Sequence, residues 1–471
     1  MRVLFRCAFI ATPLVLAACA TDVPRDPAAG KDSAKPIAFT AATVIDGTGA
    51  PAMEGATVVI EGSRISCVGE CEIPSNAELI DTSGKYIIPG MVDVHVHYGL
   101  SGWVDALPGL FGIDVSERFP FPEVLADLRA NPQRLHRSYL CSGVTAVFDT
   151  GDYPWTLDLR EGAEHSTAAP HIAAAGPILT TLKHVISHPA GSEMSVYMAD
   201  EQSVREAVRM LADNKSDGLK IHRPDLIEDR ERRQALLRTA SEEARHAGLR
   251  LIANAPTLES AKDALRAGAS LFVYSVEDAL VDEEFLELAR QRGIVYAPAL
   301  AAGVGANEIK AREFNEDRMP LDCVDPETRK KVRLTDSLPI VAGAGETIIP
   351  EQGKAVRQRR LENLRRIHEA GIAVAIGASG GAPLTLHGPA TANEMEAMAA
   401  AGLPPMAVLI AATQNGAIAM GRTDFGTVEP GKIADLVVLE RDPLADISNV
   451  RSVALVVRGG KVWAREDQEY H

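Results

Sequence analysis

Two histidines, His95 and His97, stand two residues apart in an apolar run near the start of the chain. Because alternate residues of a β-strand face the same side, the two imidazoles are expected to project together. Converging imidazoles are the ligands that a transition-metal ion such as zinc prefers. The spacing therefore predicts half of a metal site, whose other ligands must come from later in the chain.

The elements that position this pair follow from short apolar runs that alternate with longer, charged, amphipathic segments. The candidate strands are residues 92–97, 144–150, 171–176, 218–222, 249–254, 271–275, 294–298 and 372–377. Helical patterns separate them, for example at 201–214, 230–247, 258–267, 282–292 and 354–370. This order predicts an α/β fold, a (β/α)₈ TIM-like barrel with its chemistry at the strand C-terminal ends. The alternative, an open doubly wound sheet, needs a glycine-rich phosphate turn after the first strand, and none follows His97.

Both ends of the chain carry β-branched runs punctuated by Gly and Asp, at residues 37–90 and 424–468. Such runs indicate strands of a small sheet, and the shared texture predicts one composite β-sandwich domain around a barrel of residues 91–423. A polar segment at 303–353, between the seventh and eighth barrel strands, is either a lid over the barrel mouth or a variable surface insertion.

The N-terminus has the pattern of an export signal. Arg2 and Arg6 precede a short apolar core, and Leu16-Ala17-Ala18-Cys19 matches a bacterial lipoprotein cleavage box. Residues 1–18 are therefore predicted to be a signal peptide, Cys19 the lipidated residue, and 19–36 a flexible tether. An ordinary signal peptide is the alternative. Lipidation would place the protein at the cell envelope, on the periplasmic face of the outer membrane, with the lipid as its membrane contact.

Composition sets limits on partners. The chain is 46% hydrophobic and 24% charged, as expected of a globular protein, and its formal net charge is −16. An acidic balance disfavours nucleic acid and anionic membrane surfaces, which leaves a small molecule as the expected partner and self-association open.

Four cysteines remain in the predicted mature domain. Cys67 and Cys71 flank a tight turn and either close a disulfide in an oxidising compartment or stay free thiols. Cys141 and Cys323 are predicted to be unpaired.

Four motifs, at residues 44–49, 88–97, 409–417 and 426–439, together carry a resemblance to the amidohydrolase superfamily, in its imidazolonepropionase and prolidase-like branch. The resemblance spans roughly residues 38–466, nearly the whole predicted mature chain. It implies a barrel enzyme that hydrolyses C–N bonds with metal-bound water.

The same resemblance supplies an expected ligand set, and this chain keeps half of it. The family uses two histidines on strand one, a carboxylated lysine on strand four, histidines on strands five and six, and an aspartate on strand eight that is also the general base. His95, His97 and Lys220 match, whereas Asn254, Tyr274 and Ser379 replace the last three. Amide, phenol and hydroxyl groups are poor zinc ligands, and serine cannot accept a water proton near neutral pH. The resemblance therefore implies a reduced or rearranged site, with one zinc rather than two.

A substitute ligand set can be assembled from the same strands. Lys220 and His222 are two residues apart and should face the same side, so His95, His97 and His222 could bind one zinc with one open position. The alternative is that these histidines are satisfied by hydrogen bonds alone. An unmodified Lys220 inside a barrel needs a partner, and Asp149 at the end of strand two is a candidate.

Three more histidines are expected at the rim where family members place substrate-binding histidines. His184 and His188 follow strand three, and His387 follows strand eight. Asp93 is predicted to lie on the face of His95, further toward the barrel bottom, as a structural residue.

Three functional hypotheses follow. The first is an exported hydrolase of amide or cyclic amide C–N bonds, and it is narrowly favoured because of the resemblance. The second is a non-catalytic barrel that binds a ligand or a partner at the envelope. The third, metal-free hydrolysis with Ser379 as nucleophile, lacks the strand-to-helix context that such a serine requires.

Overall fold

The computed structural model describes residues 35–107, 113–181, 194–302, 320–338 and 350–468. The predicted signal peptide and most of the tether lie outside them. The strands are β1 Ile37–Val44, β2 Met53–Glu61, β3 Arg64–Gly69, β4 Glu78–Asp81, β5 Tyr86–Pro89, β6 Met91–Val96, β7 Val144–Asp149, β8 His171–Ala174, β9 Ile178–Thr180, β10 Ser195–Tyr197, β11 Gly218–His222, β12 Arg250–Asn254, β13 Leu271–Val273, β14 Val295–Ala297, β15 Ala373–Val374, β16 Leu436–Leu439, β17 Val453–Arg458 and β18 Lys461–Ala464.

The α-helices are α1 Phe121–Ala130, α2 Gln133–Cys141, α3 Leu159–Glu164, α4 Glu201–Asp213, α5 Arg230–His246, α6 Leu258–Ala267, α7 Glu283–Arg292, α8 Pro326–Val332, α9 Pro350–Glu369, α10 Pro389–Ala400, α11 Pro405–Ala411, α12 Gln414–Ala419 and α13 Arg465–Gln468. Short 3₁₀ helices occur at Val104–Ala106, Pro154–Asp158, Pro224–Leu226, Thr335–Ser337 and Ile447–Arg451. Within the described ranges, every helix is too short or too polar to cross a lipid bilayer.

The barrel prediction is confirmed. Parallel strands pair in the orders β6-β7-β8 and β10-β9-β11-β12-β13-β14-β15. The third barrel strand is split into β8, which pairs with β7, and β9, which pairs with β11, so it joins the two sheets. Hydrogen bonds from the Val94 amide to the Ile376 carbonyl (2.8 Å) and from the His97 amide to the Gly380 carbonyl (2.7 Å) bring the first strand against the last. The strand C-terminal ends therefore surround one mouth.

The two chain ends form one sheet, as their similar β-branched runs predicted. Its order is β18-β17-β16-β5-β1-β2-β3, with β4 paired to β1. The antiparallel pairing of β16 with β5, in which Leu436 is opposite Pro89, joins the C-terminal strands to the N-terminal ones. The exact domain boundaries at residues 90 and 424 stay predictions.

Strand one departs from regular alternation. Between Asp93 and Val96 it has one more residue than its partner β7, as in a β-bulge. The Asp93 carboxylate therefore does not share the face of His95. It accepts hydrogen bonds from the Ala378 amide (3.0 Å) and from the Thr391 hydroxyl of α10 (2.9 Å), in the helix layer. Asp93 thus connects strand one to strand eight and α10.

Both cysteine pairs form disulfides. The first is one of the two alternatives given for Cys67 and Cys71, and the second contradicts a prediction. Cys67 and Cys71 are bonded, and so are Cys141 and Cys323, with Cα atoms 5.4 Å apart. The prediction that Cys141 and Cys323 are unpaired is wrong. The two residues are 182 positions apart, and only the packing of the folded chain brings them together.

The described part of the segment between strands seven and eight, residues 320–338, packs near the barrel mouth. Trp103 donates its indole N–H to the Thr335 hydroxyl (3.0 Å), and Lys331 pairs with the buried Asp105 (2.6 Å). Its apolar side chains join those of the loops after strands one and eight in one cluster: Trp103, Val104, Val324, Val332, Leu384 and Leu386. This packing favours the lid interpretation for that part of the segment.

Candidate functional site

The predicted site residues of strands one, four, five, six and eight meet at the strand C-terminal ends. The His95 ring centre lies 5.0 Å from that of His97 and 4.8 Å from that of Tyr274, both in edge-on contact. Glycine permits the close approach of strand eight, because a Cβ at Gly377 would lie 3.0 Å from the Cβ of His95. The replaced positions therefore belong to the same cluster as the retained ones.

Lys220 and His95 form the first pair of this cluster. The Lys220 ammonium donates to His95 Nε2 at 3.2 Å. Burial lowers the pKa of Lys220 to about 8, while the charges of Asp149 and Asp152 oppose that shift. The pKa of His95 is held well below its ordinary value by burial and by Lys220, so the ring is neutral. His95 Nδ1 is buried without a hydrogen-bond partner among the described residues.

His222 and Asn254 form the second pair. The Asn254 amide donates to His222 Nδ1 at 3.0 Å, which leaves the proton of the neutral ring on Nε2. Burial, with the charge of Lys220, lowers the pKa of His222 to about 3. The acceptor nitrogen of His222 is therefore occupied by Asn254, which stands where the family pattern has the strand-five histidine.

Tyr274 and Ser379 form the third pair, and both carry unusual backbone conformations. Their hydroxyl oxygens are 2.7 Å apart, and their φ angles are +70° and +60°. Residues with side chains rarely adopt positive φ, and such strain is most often kept at functional sites. Burial raises the pKa of Tyr274, so the phenol stays protonated. One of the two hydroxyl hydrogens fills the bond between them, and the other is left to donate elsewhere.

His97, Asp149 and Asp152 form a different kind of group. One ligand atom from each lies within 4.8 Å of the others, and across the described residues this is the one such group of three His, Cys, Asp or Glu side chains. All three are buried. Burial raises the pKa of Asp149 to about 6, and burial together with the charge of Asp149 raises the pKa of Asp152 well above its ordinary value.

The fit of these residues to metal can be tested on their contacts. The two-ion set of the amidohydrolase pattern does not fit, because Asn254, Tyr274 and Ser379 are neutral and each hydrogen-bonds within the cluster. Among the described residues, the nitrogens of His95, His97 and His222 do not form a group of three ligand atoms within 4.8 Å of one another, and the three-nitrogen set stays a prediction. One imidazole and two carboxylates do fit a single zinc ion.

Of the three predicted rim histidines, the structure describes one. His387 is buried, accepts from the Tyr139 hydroxyl at Nδ1 (2.8 Å) and donates from Nε2 to the Leu100 carbonyl (2.9 Å). Both nitrogens therefore already hold protein groups, and its substrate-binding role stays a prediction. His184 and His188 lie outside the described residues.

Asp152 is the site residue that sequence reasoning missed. It stands three residues after Asp149, directly past the end of strand two, and its oxygens accept from the backbone amides of Gly99 (2.6 Å) and Tyr153 (2.8 Å). Two carboxylates at the C-terminal end of a barrel strand were the available signal. The family pattern has no ligand at that position and therefore did not predict Asp152.

Comparison with known proteins agrees with the fold. A family model described as the amidohydrolase family matches residues 86–463. An imidazolonepropionase from Streptomyces avermitilis is 23% identical over 431 residues, covering 88% of this chain and 86% of that protein.

Among solved structures, a Xaa-Pro dipeptidase with bound methionine has a TM-score of 0.68 at 23% identity, covering 91% of this chain and 100% of its own. The ochratoxinase of A. niger has a TM-score of 0.65 at 22% identity, covering 92% and 96%. At these identities the structural matches establish the barrel with its β-sandwich domain, and no more.

Proposed function

We propose, from the premise that this chain belongs to the amidohydrolase family, that it is an exported hydrolase of amide or cyclic amide C–N bonds with a reduced, single-zinc site. The observation that carries the proposal is the convergence of His97, Asp149 and Asp152 at the mouth, where family members perform their chemistry. The three neutral residues at the expected ligand positions thus stand beside two buried carboxylates at the end of strand two.

Different groups at the mouth would have different roles in hydrolysis. A bound zinc ion would polarise the scissile carbonyl and make water acidic enough to attack at neutral pH. With zinc bound, an oxygen of Asp149 or Asp152 that is not bound to the ion would accept the water proton, a role that Ser379 cannot fill. The free hydroxyl hydrogen of the Tyr274–Ser379 pair can donate to the oxygen on which negative charge develops. Segment 320–338, which packs on the loops after strands one and eight, would help to exclude water from the mouth.

The names of the relatives support a proposal for the substrate class. Imidazolonepropionases, the Xaa-Pro dipeptidase and the ochratoxinase are named for different small substrates. We therefore propose a small molecule with an amide, dipeptide or lactam bond. The net charge of −16 further disfavours polyanionic substrates.

Export rests on the predicted signal peptide and is supported by the two disulfides, which form and persist in oxidising compartments. Fractionation of the producing cell would test it. The wild type is expected in the outer-membrane fraction with a lipid mass on Cys19, and Cys19→Ser is expected in the soluble periplasmic fraction. Cytoplasmic protein that retains residues 1–18 would contradict export.

Catalysis is tested by assaying the zinc-loaded protein against N-acyl amino acids, dipeptides and lactams. Turnover of at least one class is expected, and His97→Ala should lower kcat by about 10²-fold or more, because both the nucleophile and the polarising charge depend on the site. The exposed His165→Ala is the matched control and should keep full activity. Equal activity of the His97 variant and the control would contradict the proposal.

A second candidate function has its own observation. The pairs Lys220–His95, Asn254–His222 and Tyr274–Ser379 satisfy one another's polar groups, as a barrel that only binds a ligand would require. This candidate predicts ligand binding without turnover and unchanged binding in His97→Ala. The activity assay separates the two functions.

A further inference from the structure

We propose that this protein binds one zinc ion through His97, Asp149 and Asp152, displaced toward strand two from the position that the strand-one histidine pair would define. The proposal concerns the binding site of the ion. It rests on the proposed function only for the catalytic role of that ion.

The hydrogen bonds of the histidines single out His97. His95 Nε2 accepts from the Lys220 ammonium, so the proton of this neutral ring is on Nδ1, which is unpartnered among the described residues, and no lone pair is left. His222 Nδ1 accepts from Asn254, which leaves the proton on its Nε2. His97 instead donates from Nδ1 to the Gly151 carbonyl at 2.9 Å, so its proton is on that nitrogen and Nε2 keeps a lone pair. A backbone carbonyl on the far nitrogen is the usual way to orient a ligating histidine. His97 is 7% exposed, and no described residue takes its second nitrogen.

Backbone amides that follow strands one and two hold the carboxylates of Asp149 and Asp152 in place. Asp149 accepts from the amides of Tyr98 (3.0 Å) and Gly151 (3.3 Å), and Asp152 from those of Gly99 and Tyr153. Neither side chain can turn away without leaving these amides unsatisfied. Each oxygen still has a second lone pair, because one hydrogen bond uses only one.

The two carboxyl groups also contact each other by a side-chain hydrogen bond while fully buried. Two carboxylates in this position require either a shared proton or a cation between them. The hydrogen bond that the described residues give the Lys220 ammonium goes to His95. A divalent cation beside His97 would replace the shared proton and give both carboxylates a direct partner.

The resulting ligand set has the composition of a catalytic zinc site. One imidazole nitrogen and two carboxylate oxygens are three protein ligands, which leaves a fourth position open for water or substrate. Gly151 lies between the two aspartates, where a Cβ would lie 2.1 Å from Ile178 Cγ2 and 3.1 Å from Lys220 Cδ. The close passage of this loop therefore depends on glycine.

The test is zinc content by mass spectrometry after purification from zinc-supplemented culture and dialysis against a weak chelator. Wild type, His95→Ala and His222→Ala are expected to retain about one zinc per chain, and Asp149→Asn, Asp152→Asn and His97→Ala about one tenth or less. Circular dichroism and the cooperativity of thermal unfolding verify that each variant is folded. As a second readout, added zinc should raise the Tm of metal-stripped His95→Ala but not that of metal-stripped Asp152→Asn.

Three results would overturn this site. They are a wild type without zinc, zinc lost from His95→Ala but kept by Asp152→Asn, and zinc kept equally by all variants. A zinc-loaded wild type that hydrolyses none of the amide, dipeptide or lactam probes would instead overturn the proposed function and leave the binding site standing.

Discussion

His171 and His97 lie at opposite ends of the barrel strands and show what a buried histidine becomes under two sets of neighbours. His171, at the first position of β8, hydrogen-bonds Glu164 through Nδ1 (2.7 Å) and Asp435 through Nε2 (2.9 Å). Although burial lowers it, these carboxylates raise the net pKa of His171. His97 bonds a carbonyl, and burial and Lys220 hold its pKa well below the ordinary value.

The difference separates a histidine that serves the fold from one that is available for chemistry. His171 has both nitrogens occupied by carboxylates that favour its charged form, and it joins the barrel to Asp435, next to β16. His97 is neutral and has one nitrogen free for a ligand. Burial alone does not distinguish them, since both rings are nearly inaccessible.

The largest expected difference in stability is between Asp→Asn substitutions made at the two ends of the barrel. Asp435→Asn should lower the free energy of unfolding by about 3 to 5 kcal/mol, because it removes the buried carboxylate that pairs with both His171 and Arg458 and leaves His171 with Glu164 alone. In the metal-stripped protein, Asp152→Asn should cost less, about 1 to 3 kcal/mol. Burial and the charge of Asp149 raise the pKa of Asp152 and so favour its neutral form, but the amide nitrogen cannot accept from one of the two backbone N–H groups that Asp152 satisfies. Urea unfolding at pH 7 measures both, and equal losses would remove the distinction.

A second contrast is the pH dependence of stability at the mouth. The folded-state pKa of Lys220, about 8, is below its unfolded value of 10.5, so the unfolded chain binds more protons between these limits. Stability should therefore rise from pH 8 to pH 10.5 by an amount on the order of 3 kcal/mol. Urea unfolding of metal-stripped wild type, compared with Lys220→Met, isolates this contribution. Parallel curves for the two proteins would contradict it.

The stability that His171 contributes at the barrel bottom should change with pH in the opposite direction. The folded-state pKa of His171 is above its unfolded value, so its contribution is complete below about pH 6.5 and is lost as pH rises through the folded pKa. The stability difference between wild type and His171→Gln should therefore shrink as pH increases from 6 toward 9. A difference that grows with pH would show that His171 is neutral in the folded protein.

The smallest effect concerns the strain at the mouth. Ser379→Ala removes the bond to Tyr274 and should cost about 1 kcal/mol, whereas Ser379→Gly also relieves a φ of +60° and should be more stable than the alanine variant by about 1 kcal/mol. Thermal unfolding of the two variants measures the difference. Tyr274→Phe is the control for the lost hydrogen bond, and a glycine variant less stable than the alanine variant would argue against stored strain.

The sequence predicted the barrel closely because its evidence is periodic and local. Helix α6 begins and ends at the predicted residues 258 and 267, where Thr257 caps its start and Gly268, with φ of +108°, ends it. The site was harder to predict. Strict alternation misplaced Asp93, because a bulge is a backbone irregularity that residue types alone do not mark.

The site also depends on contacts between residues far apart in sequence. Which nitrogen of His222 is occupied depends on Asn254, 32 positions away, and no local pattern encodes that bond. Asp152 was not predicted, because the family pattern has no ligand at that position. The ligand roles of His95, His97, Lys220 and His222 remain predictions that metal analysis will decide.

The disulfide between Cys141 and Cys323 determines how the protein should be produced. It fixes residues 320–338, which cover the loops after strands one and eight, to the end of α2. A reducing cytosolic expression host would leave the two thiols separate. Protein made there and protein secreted through an oxidising compartment would then differ at this bond, and limited proteolysis near residue 323 would tell them apart before any assay begins.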